Sequence, residues 1–388
     1  MPLPLEGIKV LDFTRFLAGP FCPVLLGYMG AEVIKVEPPE GETVRYWGPF
    51  FKGEGRSFLG WNPNKKSLVL DLTRKEGREI AEKLAREADV VVENFRPGTT
   101  ERLGIDYEMV KSDNPGVIYC SVSGYGQTGP SAEKPGFDPL AQALGGIMSR
   151  HGREEGVPLF YRGAPTDYGS AMLAAYGVML ALYVRKRTGM GQKIEASLLS
   201  TVVALQAGRF IASDHDDQIT TPGGLVPYGV FETNDRDIFL GIEAEGWPAL
   251  CKIVGLEHLL ADPRFSTNEK RVEHRKALLP LLEEKMREKP AEEWLTLFHQ
   301  QGIICAPVNT LEEFASDPQV IENEMIAEVD HATIGKLKML NVPVNLSSTP
   351  GKALSPAPVL GQHTDEILTR LGYKQEEIKE LRGKKVIL

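Results

Sequence analysis

The chain has 388 residues, 42% hydrophobic and 25% charged, with a formal net charge of −9. That length suits two or three domains at about 100–200 residues each, and the composition is that of an ordinary soluble globular protein. The acidic balance excludes a general nucleic-acid binder, which needs a basic stripe, but still allows an anionic ligand held by a local basic cluster.

In chain order, the N-terminus lacks a basic region followed by an apolar core, so no signal peptide is expected. Residues 8–13 read as a buried strand. Gly19-Pro20 opens a helix to about Tyr28, Gly30 ends it, and residues 31–37 form the next strand. Such a β-α-β unit implies a parallel sheet. Strands are expected at 67–72, 89–94 and 117–122, with an amphipathic helix over 75–87 that has Ile80 and Leu84 on one face. The first half is therefore α/β and doubly wound.

Residues 138–182 read as helical and rich in Ala and Gly, with a loop around 152–166. Arg185, Lys186 and Arg187 suit the last turn of the second helix and Gly189 its stop. A strand follows at 193–197. From about residue 222 a smaller, mostly helical domain begins, with a β segment at 238–242 and helices over 247–254, 269–285 and 291–301. The last stretch shows β signals at 337–344 and a helix at 364–371. No apolar run reaches about 18 uninterrupted residues, so no membrane span is expected and the cytoplasm is the expected compartment.

Four cysteines, Cys22, Cys120, Cys251 and Cys305, are too widely spaced for a disulfide framework or a metal site and read as reduced thiols. The seven histidines have no metal-ligand spacing, so no metal is expected. The first β-α turn, Thr14-Arg-Phe-Leu-Ala-Gly-Pro20, lacks the G-x-G-x-x-G of dinucleotide binders, although Glu37 stands where a ribose-binding acid would. Arg96 and Arg102, after the strand at 89–94, are either phosphate ligands or a solvated loop. Asp167, in Arg162-Gly-Ala-Pro-Thr-Asp-Tyr-Gly-Ser170, stands where a loop enters an apolar helix. Helix N-termini favour negative charge, so its carboxylate is expected to be ionised. It is either an N-cap or a nucleophile.

Several motifs occur in one order along the chain: Asp12-Phe-Thr with Ala18-Gly-Pro20, Gly30-Ala-Glu-Val-Ile-Lys-Val-Glu37, Lys66-Ser-Leu-Val-Leu-Asp-Leu72 and Asp89-Val-Val-Val-Glu-Asn-Phe-Arg-Pro-Gly98. Ser123-Gly-Tyr-Gly-Gln-Thr-Gly-Pro130, Thr188-Gly-Met-Gly-Gln192, Pro307-Val-Asn309 and Pro358-Val-Leu-Gly-Gln-His-Thr364 follow. Together they make the chain resemble the family III CoA-transferases of the CaiB/BaiF type over essentially its whole length.

The resemblance implies that CoA moves from an acyl-CoA donor to a free carboxylic acid, with Asp167 as nucleophile through aspartyl-anhydride and aspartyl-CoA thioester intermediates. It implies coenzyme A or acyl-CoA as a substrate, with no tightly bound cofactor. It places CoA along Phe16, Leu17, Leu70, Asn94, Phe95 and Arg102. Tyr125, Phe137 and Tyr228 are expected to wall the acid's pocket. It also implies a homodimer interlocked like linked rings, each chain with a large Rossmann-like open-sheet domain and a smaller α+β domain. The divisions are then 1–210 for the first part of the large domain, 211–228 for a linker, 229–325 for the small domain and 326–388 for a second linker and the return to the large domain.

The chain departs from the family pattern at Pro38 and Thr73, where some members carry Arg and Lys, and Arg74 and Lys75 come next. The Gly-rich loop of the formyl-CoA transferases is not evident in Gly241-Ile-Glu-Ala-Glu-Gly246, which makes formate and oxalate poorer substrate candidates. A 2-methylacyl-CoA racemase of the same superfamily is the main alternative. Racemases carry a His before the Asp of a Gly-x-Asp motif, and here Phe137, which cannot serve as a base, precedes Asp138. A non-catalytic CoA-binding protein would leave Asp167 as a cap.

Overall fold

The computed structural model describes residues 2–154, 156–211, 224–353 and 355–388. It divides into two units, Met1–Ile211 with Asn323–Leu388, and Ala212–Glu322. Most of the linker expected at 211–228 lies outside the described residues.

In the first unit β1 (Lys9–Asp12), α1 (Phe21–Tyr28) and β2 (Glu32–Glu37) form the expected β-α-β unit, with Lys9 opposite Glu32 and Asp12 opposite Lys35. β3 (Lys65–Val69), α2 (Lys75–Glu87), β4 (Val90–Glu93), α3 (Tyr107–Asp113) and β5 (Ile118–Ser123) continue the pattern. Then come α4 (Asp138–Leu144), α5 (Pro165–Thr188), β6 (Lys193–Ser197) and α6 (Leu198–Leu205). The six strands pair in parallel in the order β3-β2-β1-β4-β5-β6. This is the doubly wound order, and the chain switches direction between β1 and β4.

The strands are apolar on both faces because both are covered. Alternation sends Val10, Val90 and Val92 into one core with Val24 of α1 and Ala174 and Val178 of α5. It sends Leu11, Ile34 and Val91 into a second core with Ile80 and Leu84 of α2. Alanines 171, 174 and 181 are buried where α5 meets the sheet, and small side chains allow close approach. By length and composition alone the helix is apolar enough to cross a membrane, although Gly, Ser and Tyr interrupt its apolar run. Its inner face packs on the sheet, while Met172, Tyr176, Met179, Leu180 and Tyr183 are exposed.

The second unit has a three-stranded antiparallel sheet of β7 (Tyr228–Glu232), β8 (Asp237–Gly241) and β9 (Ile304–Pro307). It is accompanied by α7 (Trp247–Ile253), α8 (Asn268–Glu273), α9 (Arg275–Met286) and α10 (Ala291–Gln300) around Leu240, Leu278, Trp294 and Phe298. The single helix expected over 269–285 is two, parted at His274, whose backbone leaves the helical region. Residues 323–388 belong to the first unit. They form the hairpin β10 (Ile326–His331) and β11 (Gly335–Leu340), then α11 (Thr364–Arg370) and α12 (Gln375–Gly383). Ile367, Ile378 and Leu381 complete the second core.

Charged residues sit inside the sheet beneath the switch point. Asp12 Oδ2 accepts from Lys65 Nζ at 2.8 Å, and Lys65 Nζ also donates to Pro20 O and Asn62 Oδ1. Asp12 Oδ1 accepts from Thr14 N at 2.8 Å and Thr14 Oγ1 at 2.5 Å. Lys35 Nζ donates to Thr14 O at 2.8 Å and pairs with Glu42 at 2.9 Å. Burial alone would push the Asp12 carboxyl up; Lys65 and Lys35 outweigh it and hold the group below the usual carboxylate range. Glu37 is fully engaged by Arg45 at 2.7 and 2.8 Å and by Ser67 Oγ at 2.7 Å. It is therefore not the open acid that a ribose would need.

Removing one member of a buried pair strands the other. Lys65→Met is expected to destabilise the fold by about 3–5 kcal/mol in urea unfolding; a loss below about 1 kcal/mol would show that Asp12 does not depend on its partner.

Candidate active site at the switch point

Two loops leave the sheet side by side at the switch point, where open α/β sheets bind ligands. The loop after β1 carries Arg15, Phe16 and Ala18, with Phe16 held at a φ of +66°. The loop after β4 begins with Asn94. Asn94 Oδ1 accepts from Arg15 N and its Nδ2 donates to Arg15 O, both at 2.7 Å, so the loops are stitched together. Gly19 makes the approach possible: a Cβ there would lie 2.6 Å from Thr14 Cβ and 2.7 Å from Asn94 Cγ. Gly124, after β5, and Gly136 press their backbones together in the same way, each leaving under 3.0 Å for a Cβ against the other's Cα.

The loops enclose a cavity of about 250 Å³ lined by Phe16, Asn94, Phe95, Arg96, Lys134, Phe137 and Asp167, among others. Phe137 meets Phe16 edge-on with ring centroids 5.8 Å apart. A second cavity of about 500 Å³ lies along the strand ends, lined by Arg15, Glu37, Pro38, Leu70, Thr73 and Phe95 among others. Phe95 lines both.

Phe16, Asn94, Phe95, Phe137 and Asp167 thus come together, and Leu70 shares the adjoining cavity. Three expected residues of the first unit do not. Leu17 is buried in the core beside α1. Arg102 lines neither cavity and donates to Thr99 Oγ1 at 3.0 Å. Tyr125 lies outside the cavity lining and donates its hydroxyl to Pro135 O at 3.2 Å. Tyr228 is exposed on β7 in the other unit, packed edge-on against Phe239.

Asp167 is not the cap of its helix. The N-cap is Ala164, in the left-handed region at φ 50° and ψ 51°, and Asp167 is the third helical residue. Asp138 takes the capping place, accepting from Thr166 N at 2.8 Å and Thr166 Oγ1 at 2.6 Å. Among the described residues no hydrogen bond reaches the Asp167 carboxylate. The expectation of an ordinarily ionised group is overturned as well: burial, and then the charge of Asp138, push its pKa up to about 7. The helix end that should have stabilised its charge is already occupied by another carboxylate. Asp138 was visible in the sequence only as the neighbour of Phe137, and Lys134 carried no signal there at all.

A family description for CoA-transferase family III matches residues 5–364. The chain belongs to this family. A family III relative, the succinyl-CoA:glutarate CoA-transferase of Homo sapiens, is 38% identical, over 99% of this chain and 90% of its own length. The succinyl-CoA–D-citramalate CoA-transferase of Chloroflexus aurantiacus is 36% identical, covering 100% and 98%. The solved structure of a CaiB/BaiF family protein from Brucella suis superposes with a TM-score of 0.86 at 34% identity, covering 96% of this chain and all of that one.

The raised Asp167 pKa also has a sign for stability. The unfolded group ionises near 3.8 and the folded one near 7. Folding is therefore penalised as pH rises between those values, and the penalty is full above 7. Asp167→Asn is expected to be more stable than the parent at pH 8, by about 2 kcal/mol after discounting for solvent screening, with the gap closing below pH 4. Thermal melts across pH test this; a gap that does not vary with pH would contradict it.

Proposed function

We propose that this family III CoA-transferase moves CoA from succinyl-CoA to a dicarboxylic acid of about five carbons, such as glutarate, with Asp167 as nucleophile. The observation that carries the reading is a half-buried carboxylate, free of hydrogen bonds among the described residues, in a cavity at the switch point. The substrates follow the names of the relatives, three of which pair a succinyl group with glutarate.

Asp167 attacks the thioester carbonyl of the donor; a C–O bond forms, the C–S bond breaks and CoA thiolate leaves. The thiolate then attacks the aspartyl carbonyl of the mixed anhydride and releases the donor acid as its carboxylate. The acceptor carboxylate attacks the aspartyl thioester and expels the thiolate again. Attack of that thiolate on the acceptor's carbonyl frees Asp167 and the new acyl-CoA. Covalent catalysis of this kind divides one difficult exchange into easier steps. Arg96 and Lys134 bring positive charge to the cavity where oxyanions develop. The 500 Å³ cavity beside it suits the nucleotide end of CoA, with Leu70 and Phe95 as walls and Arg15 as a cation. Leu17 and Arg102 then support the site from outside it.

A racemase would need a base where Phe137 stands. The dimer is supported by the exposed apolar side chains along α5, a contiguous face of the kind that marks an interface.

Incubation with succinyl-CoA and glutarate is expected to give glutaryl-CoA by mass spectrometry, and Asp167→Ala to lower the rate by roughly a thousandfold or more. Full exchange by the variant would end the nucleophile assignment. Uptake of solvent deuterium at the α-carbon of a 2-methylacyl-CoA, with no acid present, would favour a racemase instead. Light scattering is expected to report twice the monomer mass of 42.8 kDa; a monomer would refute the dimer.

A further inference from the structure

Asp138 opens α4, yet its carboxylate serves a different helix. It is 4% exposed. Oδ2 accepts from Thr166 N at 2.8 Å, from Thr166 Oγ1 at 2.6 Å and, at 3.4 Å, from Asp167 N. Oδ1 accepts from Gln142 Nε2. Gln142 in turn accepts from Tyr161 N at 3.0 Å and donates to Tyr161 O at 2.9 Å, tying the incoming loop to α4. A cap normally comes from the residue that starts the helix; here Ala164 has none to give, and one arrives from 28 residues earlier.

We propose that Asp138 is the positioning residue of the reacting carboxylate: it occupies the free N–H groups of α5, leaves the Asp167 side chain unbonded for reaction, and places a fixed negative charge beside it. The proposal deepens the reading of Asp167 as nucleophile and rests on it. Burial comes first and Asp138 second among the causes that keep the proton on Asp167 up to about 7. The other charged side chains lining the cavity are Arg96 and Lys134, of opposite sign. The loop after β5 contributes Ser123 and Gly124, and α6 contributes Leu198. On the side of α1, Phe21 stands edge-on to Tyr168, whose hydroxyl accepts from Trp61 Nε1 at 3.0 Å. A neutral side chain at 138 that still offers an oxygen would keep the cap and remove the charge.

The test is the pH profile of kcat/KM for succinyl-CoA and glutarate exchange in the wild type, Asp138→Asn and Asp138→Glu. The acid limb of the wild type is expected near pH 7, because Asp167 must be ionised to attack. In Asp138→Asn its midpoint should fall by at least about half a pH unit, while KM for succinyl-CoA holds; in Asp138→Glu the midpoint should stay. If Asp138→Asn does not fold, Asp138→Ser, a cap without charge, takes its place. A lower rate with an unmoved midpoint would mean a cap and nothing more, and would overturn the proposal while leaving the nucleophile intact. Undiminished exchange by Asp167→Ala would instead strike at the transferase reading itself.

Discussion

The carboxyl edge of the sheet depends on the contact between Asp12 and Lys65. Asp12 is the last residue of β1 and has two tasks, one for each oxygen. One oxygen is held by Lys65; the other turns the chain by accepting from Thr14. Lys35 then grips the Thr14 carbonyl from the neighbouring strand. Ion pairs in a core are expensive to desolvate and rarely add stability over apolar packing. Their role in this fold is directional: they set where the loop leaves the sheet, and so where Arg15 and Phe16 stand.

The same economy of contacts governs the reacting carboxylate. A free Asp at a helix start normally turns back and bonds its own backbone, which is why it caps so well. That outcome would bury the oxygens in local hydrogen bonds. The fold prevents it by spending a second carboxylate on the helix end. The aromatic pair of Phe16 and Phe137 keeps the neighbourhood apolar, so Asp167 is both unbonded and reluctant to ionise. Such a carboxylate is more basic than an exposed one once its proton is lost.

Much of this was legible from one sequence. The alternation of apolar strands with helices identified the doubly wound half, because β4 and its neighbours are buried on both faces and read as apolar runs. The ordered motifs identified the family, and Asp167, Asn94, Phe95, Phe16 and Phe137 do meet in one cavity. What the sequence hid were contacts made across long separations. Nothing near Thr166 announces a cap from Asp138, and nothing near Glu37 announces Arg45. Leu17 and Arg102 fall outside both cavities, Leu17 buried in the core and Arg102 in the short helix Thr99–Leu103, and spacing alone does not say which neighbouring position lines a cavity. The second unit's extra strands, β7 and β9, were missed because they are short and half exposed, so they lack a clear apolar period.

The double hydrogen bond between Arg15 and Asn94 joins residues 79 positions apart. It also crosses the line where the two halves of the sheet meet, since β1 and β4 are adjacent only after β2 and β3 have been laid down on the other side. Closing so long a stretch of chain is slow and is favourable only when the non-local pairing is complete. The cavity therefore depends on contacts between segments distant in sequence. A nascent chain that has formed β1 to β3 exposes Asp12 and Lys65 in their final relation but has no cavity wall, and so no protected carboxylate. The reactive group and its enclosure are thus built from segments far apart in the chain.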